Sequence, residues 1–486
     1  MTDATPPLAS GPAAGRVLAE LRRMQATDLP THGGRTLAYV YDSGLADADA
    51  LGREALAMFA SSNGLDPTAF PSLQRMENDL VALAGALLDA PDGFVGAATS
   101  GGTESILLAV LAARRGAPHL TAPSMVLPAS AHAAFLKAAS YLGVRPVVVD
   151  VDPLTLRADP AAMAEAVDDS TVLVVASAPS YAHGVVDPVA EVAALAAARG
   201  IRCHVDACIG GWVLPHLDHL PPWTFSVEGV TSISVDLHKY AYTPKGVSLL
   251  LHRDADLRRG HLFASAAWPG YTMLNTTAQS TKSGGPLAAA WAVTRHIGTD
   301  GYARLARQAR RATLELAAGV DAIDGLHVLV APDSTLLALT TDDTCDVFTL
   351  ADGMLARGWY TQPQMAFGAV PPTLHLTLSA ATAPSVPDFL DALGVTTAAA
   401  RAAGPVAVDP GLGALLVSLD PTALDDAAFT GLLAAAGLSG EGGAIELPDR
   451  MAPVNALLDA CPPAAREALL LGVLDRLSRP TPRPSP

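Results

Sequence analysis

Residues 171–206 read TVLVVASAPSYAHGVVDPVAEVAALAAARGIRCHVD, and this stretch decides the fold. It opens on an apolar, β-branched run at Thr171–Ser177, which is typical of a buried strand. Apolar residues at helical spacing then predict a helix over Val189–Arg199, and a second strand follows at Arg202–Asp206. A strand, a helix and a strand in succession favour a unit whose two strands run parallel.

The same alternation extends to both sides of this stretch. Further strands are predicted at Phe94–Ala98, Ser124–Pro128, Val147–Val151, Ser232–Val235 and Val247–Leu251. Further helices are predicted at Pro71–Leu88, Glu104–Arg114 and Ala131–Leu142. Short strands separated by helices indicate an α/β fold with a large, doubly wound and mostly parallel sheet that helices cover on both faces.

A long helix over Trp291–Ala318 is predicted to lead into a smaller α+β domain. Its strands are predicted at His327–Val330, Leu336–Thr340 and Leu374–Leu378, and its helices at Cys345–Arg357 and Val386–Leu393. The tail continues the alternation, with a strand at Ala414–Leu419, then helices at Asp425–Ala436 and Pro463–Ser478. We therefore expect an N-terminal arm and segment over 1–75, a large domain over 76–315 and a small C-terminal domain over 316–486.

Composition excludes several classes of function. Apolar residues make up 50% of the chain and charged residues 16%, as in a globular protein. The net charge of -17, without a cluster of Lys and Arg, argues against a nucleic-acid partner. The four cysteines form no CxxC pair, so neither a metal site nor a disulfide framework is expected. With no secretory signal and no apolar run long enough to span a membrane, we expect a soluble, cytoplasmic protein.

Polar motifs follow the predicted strands, where loops of an open α/β sheet surround a ligand crevice. The run TSGGTES at 99–105 leads into a helix, so Gly102 and Thr103 could bind an anion, although such turns are common without a ligand. Asp206 ends a strand and could be a metal ligand, a base or a helix cap.

Two further motifs carry a basic side chain. Lys239 lies between His238 and Tyr240 after a strand, where desolvation would make its amine nucleophilic; a solvated surface lysine is the alternative. His132, at the start of a predicted helix, is either a packing residue or a site residue.

Together these motifs resemble those of type I pyridoxal-phosphate enzymes, in the superfamily of group II decarboxylases and sphingosine-phosphate lyases. The resemblance is to the lyase branch. The stretches that carry the resemblance are TSGGTESI (99–106), AHAAFLKAA (131–139), HVDACIGG (204–211) and DLHKYAYTPKG (236–246). It extends over about residues 35–480 and implies the type I pyridoxal-phosphate fold, with pyridoxal 5'-phosphate as cofactor.

The resemblance also implies roles for the residues of each motif. Lys239 would form the Schiff base with the cofactor, and Asp206 would pair with the pyridine nitrogen. His132 would stack on one face of the ring and Ala207 would lie against the other. The remaining implied cofactor contacts are Gly102, Thr103 and His238, which would hold the phosphate.

The resemblance also implies that Lys245 and Tyr240 lie on the side of the site that faces the substrate. Thr281 would reach the cofactor of a neighbouring subunit, which implies a homodimer with shared active sites. Asp66 departs from the family, which has a histidine there that helps to receive the substrate's phosphate. A carboxylate would repel an anion, so Asp66 favours an unphosphorylated substrate; alternatively it only caps the turn at Pro67.

The implied reaction is carbon–carbon cleavage of a β-hydroxy amine or amino acid, with release of an aldehyde. Lys239 or Tyr240 would then return a proton to the substrate carbanion. An amino-acid decarboxylase is the first alternative: Lys245 favours the lyase, whereas Asp66 leaves the decarboxylase open. A non-catalytic scaffold of the same fold is the second, and the joint presence of Lys239, Asp206 and His132 argues against it.

Overall fold

The computed structural model describes residues 13–420, 424–438 and 445–480. The helices are α1 Ala14–Gln25, α2 Ala46–Met58, α3 Pro71–Leu87, α4 Gly102–Gly116, α5 Ala134–Leu142, α6 Pro160–Ala166, α7 Val189–Arg199, α8 Ala255–Arg259, α9 Gly284–Asp321, α10 Val347–Leu355, α11 Val386–Ala403, α12 Pro410–Val417, α13 Asp426–Ala435, α14 Ala452–Asp459 and α15 Pro463–Leu477. The strands are β1 Val95–Thr99, β2 Ser124–Pro128, β3 Arg145–Val149, β4 Thr171–Ser177, β5 Arg202–Asp206, β6 Val230–Asp236, β7 Ser248–His252, β8 Phe263–Ser265, β9 Met273–Asn275, β10 Leu326–Val328, β11 Leu336–Thr341, β12 Gln362–Gln364 and β13 Thr373–Thr377.

Seven strands form the central sheet in the order β1-β7-β6-β5-β4-β2-β3. β7 is antiparallel to both of its neighbours, and the other pairings are parallel. The carboxyl ends of β1, β2, β4, β5 and β6 therefore lie at one edge, where ligands bind in open α/β sheets. This mostly parallel sheet confirms the predicted fold class. β8 and β9 form a hairpin, and β10 to β13 belong to a second, four-stranded sheet.

The inner strands of the sheet are largely buried on both faces, whereas the edge strand β3 is not. Every residue of β2, β4 and β7 is buried. Val174, Val205 and Ile233 belong to one apolar cluster and have no exposed surface. Burial of such an aliphatic side chain stabilises the fold by roughly 1.5–3 kcal/mol. The β-branched runs in the sequence thus fix the sheet that carries the polar loops.

The helix α9 includes the predicted Trp291–Ala318 and is interrupted at Gly298. There the backbone leaves the helical region, with φ 64° and ψ 171°. This positive φ favours glycine, so Gly298 permits a kink between two shorter helices. Within the described ranges, no helix is both long enough and apolar enough to cross a membrane.

The chain divides into two compact units. The larger, Thr31–Leu339 with His375–Asp391, contains the central sheet. Of the described residues, the smaller comprises 13–30, Thr340–Leu374, 392–420, 424–438 and 445–480. In the smaller unit, apolar residues of α13 and α15 belong to one core, which includes Phe429, Leu433, Leu469 and Val473. The predicted division at residues 75 and 315 stays a prediction.

The predicted strand at Ala414–Leu419 is wrong. This segment belongs to α12, which begins at Pro410 after Asp409, whose carboxylate accepts a hydrogen bond from the Leu412 N–H at 2.8 Å. A short apolar run does not separate a strand from a helix, whereas an Asp-Pro start is a helix signal. Within the predicted N-terminal arm, α1 is helical, and the arm's first twelve residues lie outside the described residues.

Candidate active site

A cavity of about 500 Å³ opens at the carboxyl edge of the central sheet. The loops after β1, β2, β4, β5 and β6 contribute to its wall, as the strand order requires. Of the predicted site residues, those that line it are Gly102, Thr103, His132, Asp206, His238, Lys239 and Lys245. Four motifs that are far apart in the sequence therefore meet in one site.

Gly102, at the start of α4, has no room for a side chain. A Cβ atom on Gly102 would lie 2.7 Å from Cys208 Sγ and 2.9 Å from each carboxylate oxygen of Asp236. No side chain caps the start of α4, and Glu104 turns back to accept hydrogen bonds from the N–H groups of Ser100 (2.6 Å) and Ala278 (2.7 Å). The first N–H groups of α4 thus face a cradle that suits a phosphate.

Asp206 lies at the end of β5 and is 8% exposed. Its Oδ1 accepts hydrogen bonds from the Cys208 N–H at 3.0 Å and from the Ser234 hydroxyl at 3.4 Å. The carboxylate is therefore oriented from the neighbouring strand while it lines the cavity. The next residue, Ala207, is fully buried, and its N–H donates to the Ser234 carbonyl at 3.1 Å.

Lys239 forms an ion pair that the sequence analysis missed. Its Nζ lies 2.9 Å from Oδ2 of Asp236, and His238 Nε2 lies 3.6 Å from the same oxygen. Burial alone would lower the pKa of Lys239, but the Asp236 carboxylate outweighs it and raises that pKa. Burial alone would raise the pKa of Asp236, but the Lys239 ammonium and His238 hold it below its usual value. The pair is therefore ammonium and carboxylate.

Lys245 and Tyr41 lie on the same side of the site. Lys245 Nζ donates to the carbonyls of Tyr39 (3.1 Å) and His238 (3.3 Å), and lies 5.2 Å from the centre of the Tyr41 ring. Desolvation lowers the pKa of Lys245, although its side chain is exposed, and the nearby Lys239 lowers it further. Burial raises the pKa of Tyr41 to about 12. Lys245 is thus an amine from which a proton is lost more easily than from an ordinary lysine.

His132 lies in the turn before α5 rather than inside the helix, which begins at Ala134. Its Nδ1 accepts a hydrogen bond from the Ala134 N–H at 3.1 Å. This bond leaves the ring at the cavity wall, where a planar ligand could stack on it.

Four predicted residues, among them the fully buried Ala207, do not line this cavity. Tyr240 is buried, and its hydroxyl donates to the Leu378 carbonyl at 2.8 Å. Asp66 Oδ1 accepts hydrogen bonds from the N–H (2.8 Å) and hydroxyl (2.6 Å) of Thr68, as a residue that stabilises a turn. Thr281 is exposed. The roles suggested for these residues stay predictions.

The structure adds wall residues that the sequence analysis did not single out. Asp236 is the first residue of the motif DLHKYAYTPKG that contains Lys239, so its charge could have marked it as a site residue in the sequence. Tyr181 lines the cavity and stacks on His375, with ring centres 4.1 Å apart. Tyr181 follows β4 but belongs to none of the motifs, and Tyr41 lies against Lys245 from a segment that is distant in the sequence.

Comparisons with known proteins agree with this geometry. The model of the pyridoxal-dependent decarboxylase conserved domain matches residues 29–339, and a model named for a C-terminal HTH domain of pyridoxal-dependent enzymes matches residues 410–476. A sphingosine-1-phosphate lyase of Dictyostelium discoideum is 38% identical over 332 residues, which are 67% of this chain and 62% of that protein. A probable L-tyrosine/L-aspartate decarboxylase of Methanothrix thermoacetophila is 34% identical over 63% of this chain and 78% of its own.

Among solved structures, a sphingosine-1-phosphate lyase of Burkholderia pseudomallei superimposes with a TM-score of 0.77 at 35% identity. The match covers 82% of this chain and 93% of that chain. The Dictyostelium lyase, by contrast, is matched over less than two thirds of its length.

Proposed function

This chain belongs to the pyridoxal-dependent decarboxylase family, in its sphingosine-phosphate lyase branch, and we propose on that premise that it is a carbon–carbon lyase. Its substrate would be a β-hydroxy amine or amino acid, and one product an aldehyde. The observation that carries the proposal is the position of Lys239: its ammonium lies at the wall of a cavity that also contains Asp206 and the Gly102 turn.

The residues present fit pyridoxal 5'-phosphate, the cofactor of the family. The start of α4 at Gly102 and Thr103 lines the cavity without a side-chain cap and suits its phosphate, and Asp206 could pair with its pyridine nitrogen. His132 could stack on the ring, and the Lys239 amine could hold the cofactor covalently. When bound, this cofactor supplies an electron sink for a bond broken at the substrate's α-carbon.

The two lysines of the site would divide the proton transfers between them. Lys245, whose pKa is lowered, is suited to accept the proton of the substrate's β-hydroxyl at Nζ. Lys239, when it is not bonded to the cofactor, could return a proton to the α-carbon. Tyr240 is the other donor that the sequence suggested, but its hydroxyl already donates to the Leu378 carbonyl.

A decarboxylase is the second candidate, and one comparison favours it. The Methanothrix relative, which carries a decarboxylase name, is 34% identical to this chain. The same cofactor serves both reactions, so the residues that hold it do not distinguish them. The released product does: an aldehyde from the lyase, carbon dioxide from the decarboxylase.

We further infer a cytoplasmic homodimer with shared active sites. Thr281 is exposed and outside the cavity of its own chain, as expected of a residue that serves a neighbouring subunit. The four cysteines are free and buried, which suits a reducing compartment. A net charge of -17 argues against a nucleic-acid partner.

Product analysis with paired substrates tests the proposal. Native protein should release an aldehyde from unphosphorylated β-hydroxy amino acids and cleave sphingosine 1-phosphate poorly. The charge of Asp66 would weaken the binding of a phosphate placed next to it. Asp66→His should gain activity on sphingosine 1-phosphate. Asp66→Asn, which removes only the charge, is the matched control. Efficient cleavage of sphingosine 1-phosphate by the native chain would refute the substrate preference, and carbon dioxide without aldehyde would refute the lyase.

A further inference from the structure

Asp236 is a buried carboxylate that contacts three parts of the candidate site. Its side chain is 3% exposed. Its Oδ2 lies 2.9 Å from Lys239 Nζ and 3.6 Å from His238 Nε2, and both carboxylate oxygens would lie 2.9 Å from a Cβ atom on Gly102. The carboxylate therefore lies between the cofactor lysine, a histidine and the phosphate cradle.

A bound cofactor would remove the present partner of this carboxylate. Lys239 cannot be both bonded to the cofactor and an ammonium paired with Asp236. The phosphate at the Gly102 turn would also bring more negative charge next to Asp236. A buried charge that loses its partner is strongly destabilised, so the carboxylate needs another cation.

We propose that Asp236 is a positioning residue that alternates between two cations: the Lys239 ammonium when that lysine is free, and protonated His238 when the lysine is bonded to the cofactor. The inference rests on the proposed role of Lys239. It holds for a lyase or a decarboxylase, because both use the lysine in the same way.

The other titratable groups around Lys239 leave Asp236 as its anionic partner. Burial raises the pKa of Tyr41 to about 12 and that of Cys208 well above its usual value, so both are neutral near neutral pH. Asp206 also acts on Cys208 and raises its pKa. Burial lowers the pKa of His238, and the charges of Lys245 and Lys239 lower it further, against the effect of Asp236. The second pairing therefore depends on the phosphate, whose negative charge would favour a protonated His238.

If Asp236 changes its partner in this way, pH should control the rate at which Lys239 bonds to the cofactor. Lys239 must first release one proton to solvent; its neutral amine then bonds to the aldehyde carbon of the cofactor, and one water molecule leaves. Asp236 slows this step near neutral pH because it stabilises the ammonium. Each unit by which the pKa of the lysine falls raises the neutral fraction about tenfold.

The experiment uses full-length apoprotein, pyridoxal 5'-phosphate and timed reduction with borohydride. The readout is the rate of labelling at Lys239 between about pH 6 and pH 9, a range that spans neutral pH and approaches the usual lysine pKa. Asp236→Asn should capture the cofactor about tenfold faster than the native protein throughout this range, as expected of a lysine pKa that is lower by about one unit. An unchanged rate in this variant would overturn the inference.

Glu104→Gln is the matched control, since Glu104 lines the same cavity but its oxygens bond to the N–H groups of Ser100 and Ala278. It should keep the native rate, and an acceleration equal to that of Asp236→Asn would count against a specific role. If Asp236→Asn does not fold, reductive methylation of native apoprotein replaces it: Lys239 should react more slowly than Lys245 at each pH, and the reverse order refutes the inference. A covalent label elsewhere in Lys239→Ala would instead refute the proposed cofactor lysine.

Discussion

At the scale of single residues, Lys239 and Asp206 are supported in different ways. Lys239 has a charged partner, Asp236, that the sequence analysis did not assign, whereas Asp206 is oriented by a backbone N–H and a serine hydroxyl. The ion pair with Asp236 determines whether Lys239 carries a proton. The hydrogen bonds to Asp206 determine the direction in which its carboxylate points. Substitutions at the two positions should therefore have different effects.

Replacement of Lys239 by alanine should abolish both turnover and covalent attachment of the cofactor. Lys245 and Lys282 cannot substitute: Lys245 Nζ is held by two carbonyls, and Lys282 Nζ pairs with Glu77 at 2.7 Å. Borohydride reduction and peptide mapping of the native protein should find the cofactor on Lys239. A label on Lys245 or Lys282 would contradict the assignment.

The variant Asp206→Asn should fold but lose several orders of magnitude in rate. An amide oxygen can still accept the Cys208 N–H, so the local structure is kept. A neutral amide cannot keep a pyridine nitrogen protonated, so charge that develops in the transition state loses its stabilisation. Steady-state kinetics at equal cofactor content measures the effect. Near-native turnover would mean that Asp206 only orients the loop after β5.

At the scale of elements, the start of α4 is where backbone geometry determines the chemistry. The helix presents its first N–H groups to the cavity because Gly101 and Gly102 bring no side chains there. The two glycines differ in what surrounds them. A Cβ atom on Gly101 would meet only His238 Cε1, at 3.6 Å, whereas one on Gly102 would collide with Cys208 and Asp236.

This difference gives a matched pair of variants. Gly102→Ala should lower the free energy of unfolding by about 1–3 kcal/mol, the usual cost of overpacking, and should weaken retention of the cofactor. Gly101→Ala should change both much less. Denaturant titration and cofactor content after dialysis measure the two effects. Equal losses in the two variants would show that the cradle does not depend on the contacts of Gly102.

At the scale of the whole molecule, buried histidines should make the larger unit sensitive to acid. Burial lowers the pKa of His204 and of His261 to about 4 and that of His375 to about 3. An unfolded histidine takes up a proton near pH 6.5, so unfolding takes up protons and stability falls as the pH falls from about 6.5 towards 4. Asp187, whose pKa burial raises to about 6, acts in the opposite direction.

Each of the three histidines could lower the stability by up to about 2 kcal/mol between pH 6.5 and pH 5. Three such groups outweigh one carboxyl, so the free energy of unfolding of the larger unit should be lower at pH 5 than at pH 7.5. Denaturant titrations at the two pH values check this. A free energy that stays constant or rises towards pH 5 would contradict the expectation.

The sequence by itself determined the main sheet and the centre of the site. Apolar, β-branched runs predicted β4 and β5 with their observed bounds, because two-sided burial leaves a strong local pattern. Lys239, Asp206 and Gly102 were found because each lies at the end of a strand or shortly after it and belongs to a recognisable motif. Parallel strands bring such loops to one edge whatever the details of packing.

Only the tertiary structure decided the contacts between segments that are distant in the sequence. The hydroxyl of Tyr240 is bonded to Leu378, and Tyr41 reaches the site from the N-terminal segment. Asp236 was visible in the Lys239 motif, but its pairing depends on the side-chain directions of one folded loop. These interactions arise from long-range packing, which has no periodic signal in the sequence, whereas strands and helices are encoded in the spacing of neighbouring residues.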